Sequence, residues 1–268
     1  MLAWREIVRF FRQRNRVIGA IGQPVLFWLL FGVGLNRSFS LSAAGESTGQ
    51  DFLTYYFPGS LTLILLFTSI FTTISIIEDR REGFLQAVLV SPAPRWSMVL
   101  GKVLGGATIA LVQALIFLGL ALTLKISLGL VTLAGLVGLM FVMALALTSL
   151  GFVLAWRMDS VQGFHAIMNL CLMPMWLLSG AFFPVPSATS GVWSQTGLHW
   201  AMRLNPVTYG VAGIRHLLMG EMPLGATHAA DFWLPDLATC VCVTLVFGAL
   251  TFAAAARMAL RPAKGDLQ

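Results

Sequence analysis

Few groups in this chain have the type and spacing for covalent chemistry. His199, His216 and His228 fall in one segment, and Met168, Cys171, Met173 and Met175 in another. Imidazoles bind zinc or copper, and thioethers beside a thiol bind soft metals. Neither set has a chelating motif, so surface histidines and helical core packing account for them more simply. Cys240 and Cys242 lie two apart in an apolar stretch, about 200° apart on a helix, which excludes a chelating pair. Gly101-Lys102 lacks the glycine five residues earlier that a phosphate-cradling loop needs. HExxH, GxSxG and CxxC are absent. The expectation is therefore no catalytic residue, no metal, and no cofactor bound by this chain.

Another stretch suits mechanical work. The acids and bases Glu78-Asp79-Arg80-Arg81-Glu82 lead into Gly83, after which Phe84, Leu85, Val88 and Leu89 recur at i, i+1, i+4, i+5. That spacing predicts a short helix with one apolar face. Ser91-Pro92 stops it, and Pro94 suits the first turn of the next helix, near Arg95. By the residues alone, it is equally a partner contact or a plain hairpin connector.

The elements that carry this stretch follow from composition. Of 268 residues 57% are hydrophobic and only 10% charged, against about 25% charged in a soluble domain. That excludes an ordinary globular enzyme and a disordered chain. Six apolar stretches are long enough to cross a bilayer: Val17–Leu35, Tyr55–Ile77, Val103–Leu124, Leu130–Trp156, Val161–Phe183 and Leu237–Ala256. The first is too long for the core of a cleaved signal peptide. None holds an ionisable Asp, Glu, Lys or Arg. Ion-coupled transporters usually need such a group at depth, so uphill transport here would draw its energy from a separate subunit.

Thirteen basic residues fall in the two tails, the loop 78–102 and Arg157, against four (Arg37, Lys125, Arg203, Arg215) on the other side. The positive-inside rule places both termini in the cytoplasm. This also accounts for the net charge of +6 without nucleic acid. Residues 3–16 read as an amphipathic helix at the membrane interface, with Trp4 and Phe11 on the apolar side and Arg5, Arg9 and Arg12 turned to anionic lipid. The segment 184–236 is too apolar for a free loop and too broken for a span, which predicts outer interfacial or re-entrant helices. Asn205-Pro206 suits a turn between two of them. The expected organisation is an interfacial helix over 1–16 and one all-α six-span domain over 17–268.

In this order the motifs resemble the ABC type-2 transporter permease family. The resemblance is carried by Glu82-Gly83-Phe84-Leu85, Leu89-Val90-Ser91-Pro92, Arg95 and Leu100-Gly101-Lys102. Pro58-Gly59, Leu178-Ser179-Gly180-Ala181-Phe182-Phe183-Pro184, and Leu204-Asn205-Pro206 with Tyr209 and Arg215 support it. Where many members have Thr and a second acid after the loop glycine, this chain has Phe84 and Gln86. The resemblance implies a subunit of an exporter in the cytoplasmic (inner) membrane, paired with a second permease copy or paralogue. A cytoplasmic ABC ATPase would bind the ATP and Mg. Residues 78–96 (Glu82, Gly83, Phe84, Leu85, Val88, Leu89, Pro92, Arg95) and the N-terminal helix would contact that ATPase. Spans one, two and five would line the path, and the helices after Pro184, with Asn205, Pro206, Tyr209 and Arg215, would gate it outside. A path without fixed charge suits a hydrophobic or amphipathic substrate: a drug, a lipid or a lipid-linked glycan. The rival reading is a non-transporting membrane anchor or assembly factor.

Overall fold

The computed structural model describes residues 1–12, 18, 22, 24–32, 34, 52–90, 92, 94–124, 129–187, 193–220 and 232–260. In chain order they form α1 (Leu2–Arg12), α2 (helical residues 24–32), α3 (Phe52–Thr72), α4 (Ile74–Arg81), α5 (Phe84–Leu89) and α6 (Arg95–Leu118). A 3₁₀ turn (Gly119–Leu124) extends α6. Then come α7 (Leu130–Trp156), α8 (Val161–Leu177), α9 (Trp193–Leu204), α10 (Pro206–Met219) and α11 (Leu237–Leu260). Among the described residues there is no strand, only an isolated bridge between Pro186 and Phe232.

Four stretches are long and apolar enough to cross a membrane: Phe52–Arg81, Arg95–Ala121, Leu130–Trp156 and Leu237–Leu260. They match the second, third, fourth and sixth predicted spans. Of the first, α2 is the longest described helical run; the loops at 38–51 and 221–231 and the tail from 261 lie outside the described residues. The fifth is shorter than expected. Its helix ends at Leu177 after 17 residues, about 25 Å against an apolar core of ~30 Å. The cause is local: Leu178, Ser179 and Gly180 turn away, and Gly180 sits at φ 77°, a conformation glycine adopts without steric cost.

The helix α3 is the centre of the bundle. It packs against α6, α7, α8 and α10, and most of its side chains are buried. It breaks from α4 at Thr73, where the hydroxyls of Thr72 and Thr73 bond back to the carbonyls of Ser69 (2.7 Å) and Ile70 (2.6 Å). Such back-bonding competes with the helical ladder and bends it. Peripheral α11 lies on α7, α10 and α6 with few fully buried residues.

Close helix approach sets the α3–α7 contact. A Cβ on Gly151 would stand 2.9 Å from the Thr73 hydroxyl oxygen and 3.1 Å from Ile70 Cα. Gly151→Ala is therefore expected to destabilise the bundle by about 1–3 kcal/mol, because backbone must move. Thermal unfolding in detergent checks this; an unchanged midpoint would refute the contact.

Candidate functional site

One end of the bundle gathers α1, α4, α5 and the start of α6 around buried charges. Lys102, at 6% exposure, spends all three ammonium protons. It donates to Glu6 Oε1 at 2.6 Å, to the Ser75 hydroxyl at 3.2 Å, and to Asp79. Asp79 is fully buried and also takes a two-pronged bond from Arg5 (3.2 and 3.0 Å) and one from Arg9 (2.8 Å). Arg9 reaches Glu82 as well, at 3.1 Å. The hydrogen bond to Asp79 raises the Arg5 pKa above its already high value. Planar guanidinium–carboxylate pairing of this kind fixes orientation as well as charge.

These bonds correct the expected attitude of α1. Arg5 and Arg9 face the bundle's own acids, because those acids are buried and lipid phosphate is not the nearer partner. Phe10 is buried, whereas Trp4, Val8 and Phe11 form a free apolar strip, Trp4 at 68% and Phe11 at 42% exposure, and Arg12 is exposed too. Glycines in α6 make the seat. A Cβ on Gly105 would lie 3.1 Å from the Ala3 carbonyl oxygen, and one on Gly101 3.0 Å from Leu2 Cβ. The small-xxx-small spacing thus receives α1.

The short loop helix forms as the spacing predicts, entered through Gly83 at φ 74°. Its apolar face turns back onto the bundle. Leu85 is buried and Val88 packs on the core. The Phe84 ring lies 3.8 Å beneath the Arg5 guanidinium, a cation–π contact. The exposed edge is Gln86, Ala87 and Val90, together with Glu82 and Pro92. The Leu89 side chain lies outside the described residues. Arg95 turns to the carbonyls of Ala259 (3.3 Å) and Leu260 (3.0 Å) and so caps the end of α11. Arg80 does the same for α7 through the Trp156 carbonyl at 2.8 Å.

At the opposite end α9 and α10 close over the end of α8. Its last turn leaves carbonyls without helical partners, and side chains of the 205–215 stretch take them. Asn205 donates to the Met175 carbonyl at 2.5 Å and Arg215 to Gly180 at 3.0 Å, and Thr208 shares its one hydroxyl proton between the carbonyls of Met202 (2.6 Å) and Leu178 (3.2 Å). The Asn205 side-chain oxygen also accepts from the Val207 N–H at 3.1 Å, capping α10 with Pro206 at its first position. Tyr209 donates to the Arg203 carbonyl at 3.0 Å and meets Trp233 edge-on at 5.8 Å. His199 Nδ1 hydrogen-bonds to the Pro186 carbonyl at 2.7 Å and His216 Nε2 to that of Pro235 at 2.8 Å. Among the described residues no group of three or more His, Cys, Asp or Glu is placed to hold a metal. Pro184 borders a small cavity under this cap.

Sequence reasoning missed Glu6, Asp79 and Lys102 as a unit. Asp79 and Lys102 read as loop charges, and only the antiparallel register of α4 and α6 brings them together. Thr208 was also unmarked; its place four residues after Leu204 carries no signal by itself.

Three substitutions test these ends. Lys102→Met should cost about 1–3 kcal/mol by taking a charged hydrogen bond from each of the buried carboxylates of Glu6 and Asp79, and Asp79→Asn in that background should recover part. Unfolding midpoints of the single and double variants decide; strict additivity would refute the pair. Asn205→Ala removes both a cap and a carbonyl partner and should cost about 1–2 kcal/mol, read as earlier proteolysis near residues 175–210.

Comparison with known proteins assigns the family. The family model described as ABC-2 type transporter matches residues 1–219. The chain is 23% identical over 255 residues to the daunorubicin resistance ABC transporter permease protein DrrB1 of Streptomyces coeruleorubidus, covering 91% of this chain and 80% of that one. It is 26% identical over 215 residues to nodulation protein J of Rhizobium leguminosarum bv. trifolii, covering 76% and 74%. With its apolar helices and a family match over most of its length, this integral membrane protein belongs to the ABC-2 type transporter family of transport permease subunits.

Proposed function

We propose that the chain is the permease half of an ATP-driven exporter in the cytoplasmic membrane, with α5 as the lever worked by a separate ATPase subunit. The observation that carries this is the joint at Asp79. The helix α5 follows α4 after two residues, and Phe84 lies under Arg5. Arg5, Lys102 and Asp79 then bind α1, α4 and α6 into one block. A push on the exposed edge of α5 is carried into two long helices rather than absorbed by a loop. The charged end faces the cytoplasm in this reading, as the basic residues require, and both termini lie there. The six-span count takes α2 and α8 as the first and fifth spans, and α9 and α10 dip partway from the outer face. ATP and Mg are bound by the ATPase, not by this chain.

The path runs beside α2, α3 and α8. Aromatic rings gather there: Phe182 meets Phe31 at 5.1 Å, Tyr56 at 4.9 Å and Trp176 at 5.6 Å. Such a wall suits a hydrophobic or amphipathic solute, the class to which a drug, a lipid or a lipid-linked glycan belongs. Leu26 and Leu30 of α2 and Leu170 of α8 are exposed at 52%, 61% and 76%, and a second permease copy would cover them.

Purification of the tagged protein from native membranes should recover a stoichiometric ATPase chain. Ala87→Asp or Val90→Asp should lower stimulated ATP hydrolysis and export at least tenfold while insertion and oligomeric state stay normal. Recovery without any ATPase would favour the anchor reading, and full export by both variants would remove α5 as the lever.

A further inference from the structure

The guanidinium of Arg215 differs from the cations at the charged end. It is 4% exposed. Its neighbours are neutral. One nitrogen donates to the Gly180 carbonyl, and the plane lies 4.4 Å from the centre of the Tyr55 ring. Its Nε has no hydrogen-bond acceptor. Among the described residues no carboxylate pairs with it, whereas Lys102 has two. A full charge taken from water without a counter-charge is strongly unfavourable.

Beside it is a cavity of about 20 Å³, bordered by Ser179, Gly180, Thr208, Arg215 and Trp233. A single water needs about 10–15 Å³, so the space takes one body of that order and excludes a whole phosphate or sugar. The Ser179 and Thr208 hydroxyls donate to carbonyls of Trp176 (2.5 Å) and Met202 (2.6 Å). Arg215 is the charged residue that borders the cavity.

We propose that Arg215 and this cavity form a site for one small anion, either a halide ion or a single ionised oxygen of an acid group reaching in from lipid. The bound anion neutralises Arg215 and joins the Gly180 turn, α10 and the strap 232–235. This site needs only the membrane fold and not the transport reading, so its failure and that of the ATPase experiment are separate results.

The test uses the full chain in nanodiscs. In pure phosphatidylcholine, thermal unfolding is followed in sodium chloride and in sodium gluconate at equal ionic strength. Chloride at tenfold its dissociation constant should raise the midpoint by about 3–5 °C, and Arg215→Gln should remove the difference. A rise in gluconate on adding phosphatidylglycerol, again lost in Arg215→Gln, would assign the oxygen to lipid. Chloride NMR line broadening by the wild type, relieved by bromide, gives the same answer if the variant does not accumulate. Overturning results are a wild type indifferent to both anion and lipid, which would assign the counter-charge to the chain itself, or equal responses in Arg215→Gln.

Discussion

A carboxylate and an ammonium withdrawn from water can be kept only if every lone pair and proton finds a partner. Asp79 and Lys102 impose that condition on this protein. Lys102 requires Glu6, and Glu6 requires α1 to lie on α6. Asp79 requires Arg5 and Arg9, which fixes the rotation of α1 about its own axis. Glycines at 101 and 105 then become necessary, since α1 must come close enough for the side chains to meet. The seating of the loop helix follows too, because Phe84 rests against Arg5. Replacing a buried pair by apolar residues of similar volume often leaves a fold as stable as before. What it would lose is a fixed attitude of three helices about one point.

The far end obeys the same rule with weaker groups. There the demand comes from backbone carbonyls released where α8 stops early. Asn205, Thr208 and Arg215 meet it one after another. The motif pieces Leu178–Pro184 and Asn205–Arg215, far apart in sequence, are two sides of one set of hydrogen bonds. Tyr55 closes the set from α3 by donating to the Gly180 carbonyl at 3.5 Å. The two ends of the bundle are thus held by different means, one by ion pairs and the other by dipoles.

Much of this was legible in the residues. Four of the six apolar stretches match spanning helices, Gly83 opens the loop helix, and Asn205-Pro206 starts a helix as its chemistry suggests. These are local properties: length, apolar run, turn type. What escaped depends on register between distant segments. The sequence pattern of residues 3–16 separates polar from apolar faces correctly. It cannot say that an acid on α4, Asp79, and a base on α6, Lys102, wait for the polar face. Arg95 looks like a loop charge because its acceptors lie 164 residues further on, at Ala259. The shortened α8 was hidden by an apolar run that continues to Phe183 after the helix has ended.

The seat of α1 also orders events during synthesis. Its first residues leave the ribosome some hundred residues before Gly101, Lys102 and Gly105 exist. Until α4 is made, the arginines of α1 lack Asp79, and until α6 is inserted the N-terminal segment lacks its seat. Its free apolar side, Trp4 with Phe11, gives it somewhere to wait: flat on the lipid surface, already parallel to the face it will occupy. Docking then swaps solvent for Asp79 and Lys102 on the polar side while Trp4 and Phe11 need not move. The same two-faced helix serves first as a float and later as a clasp.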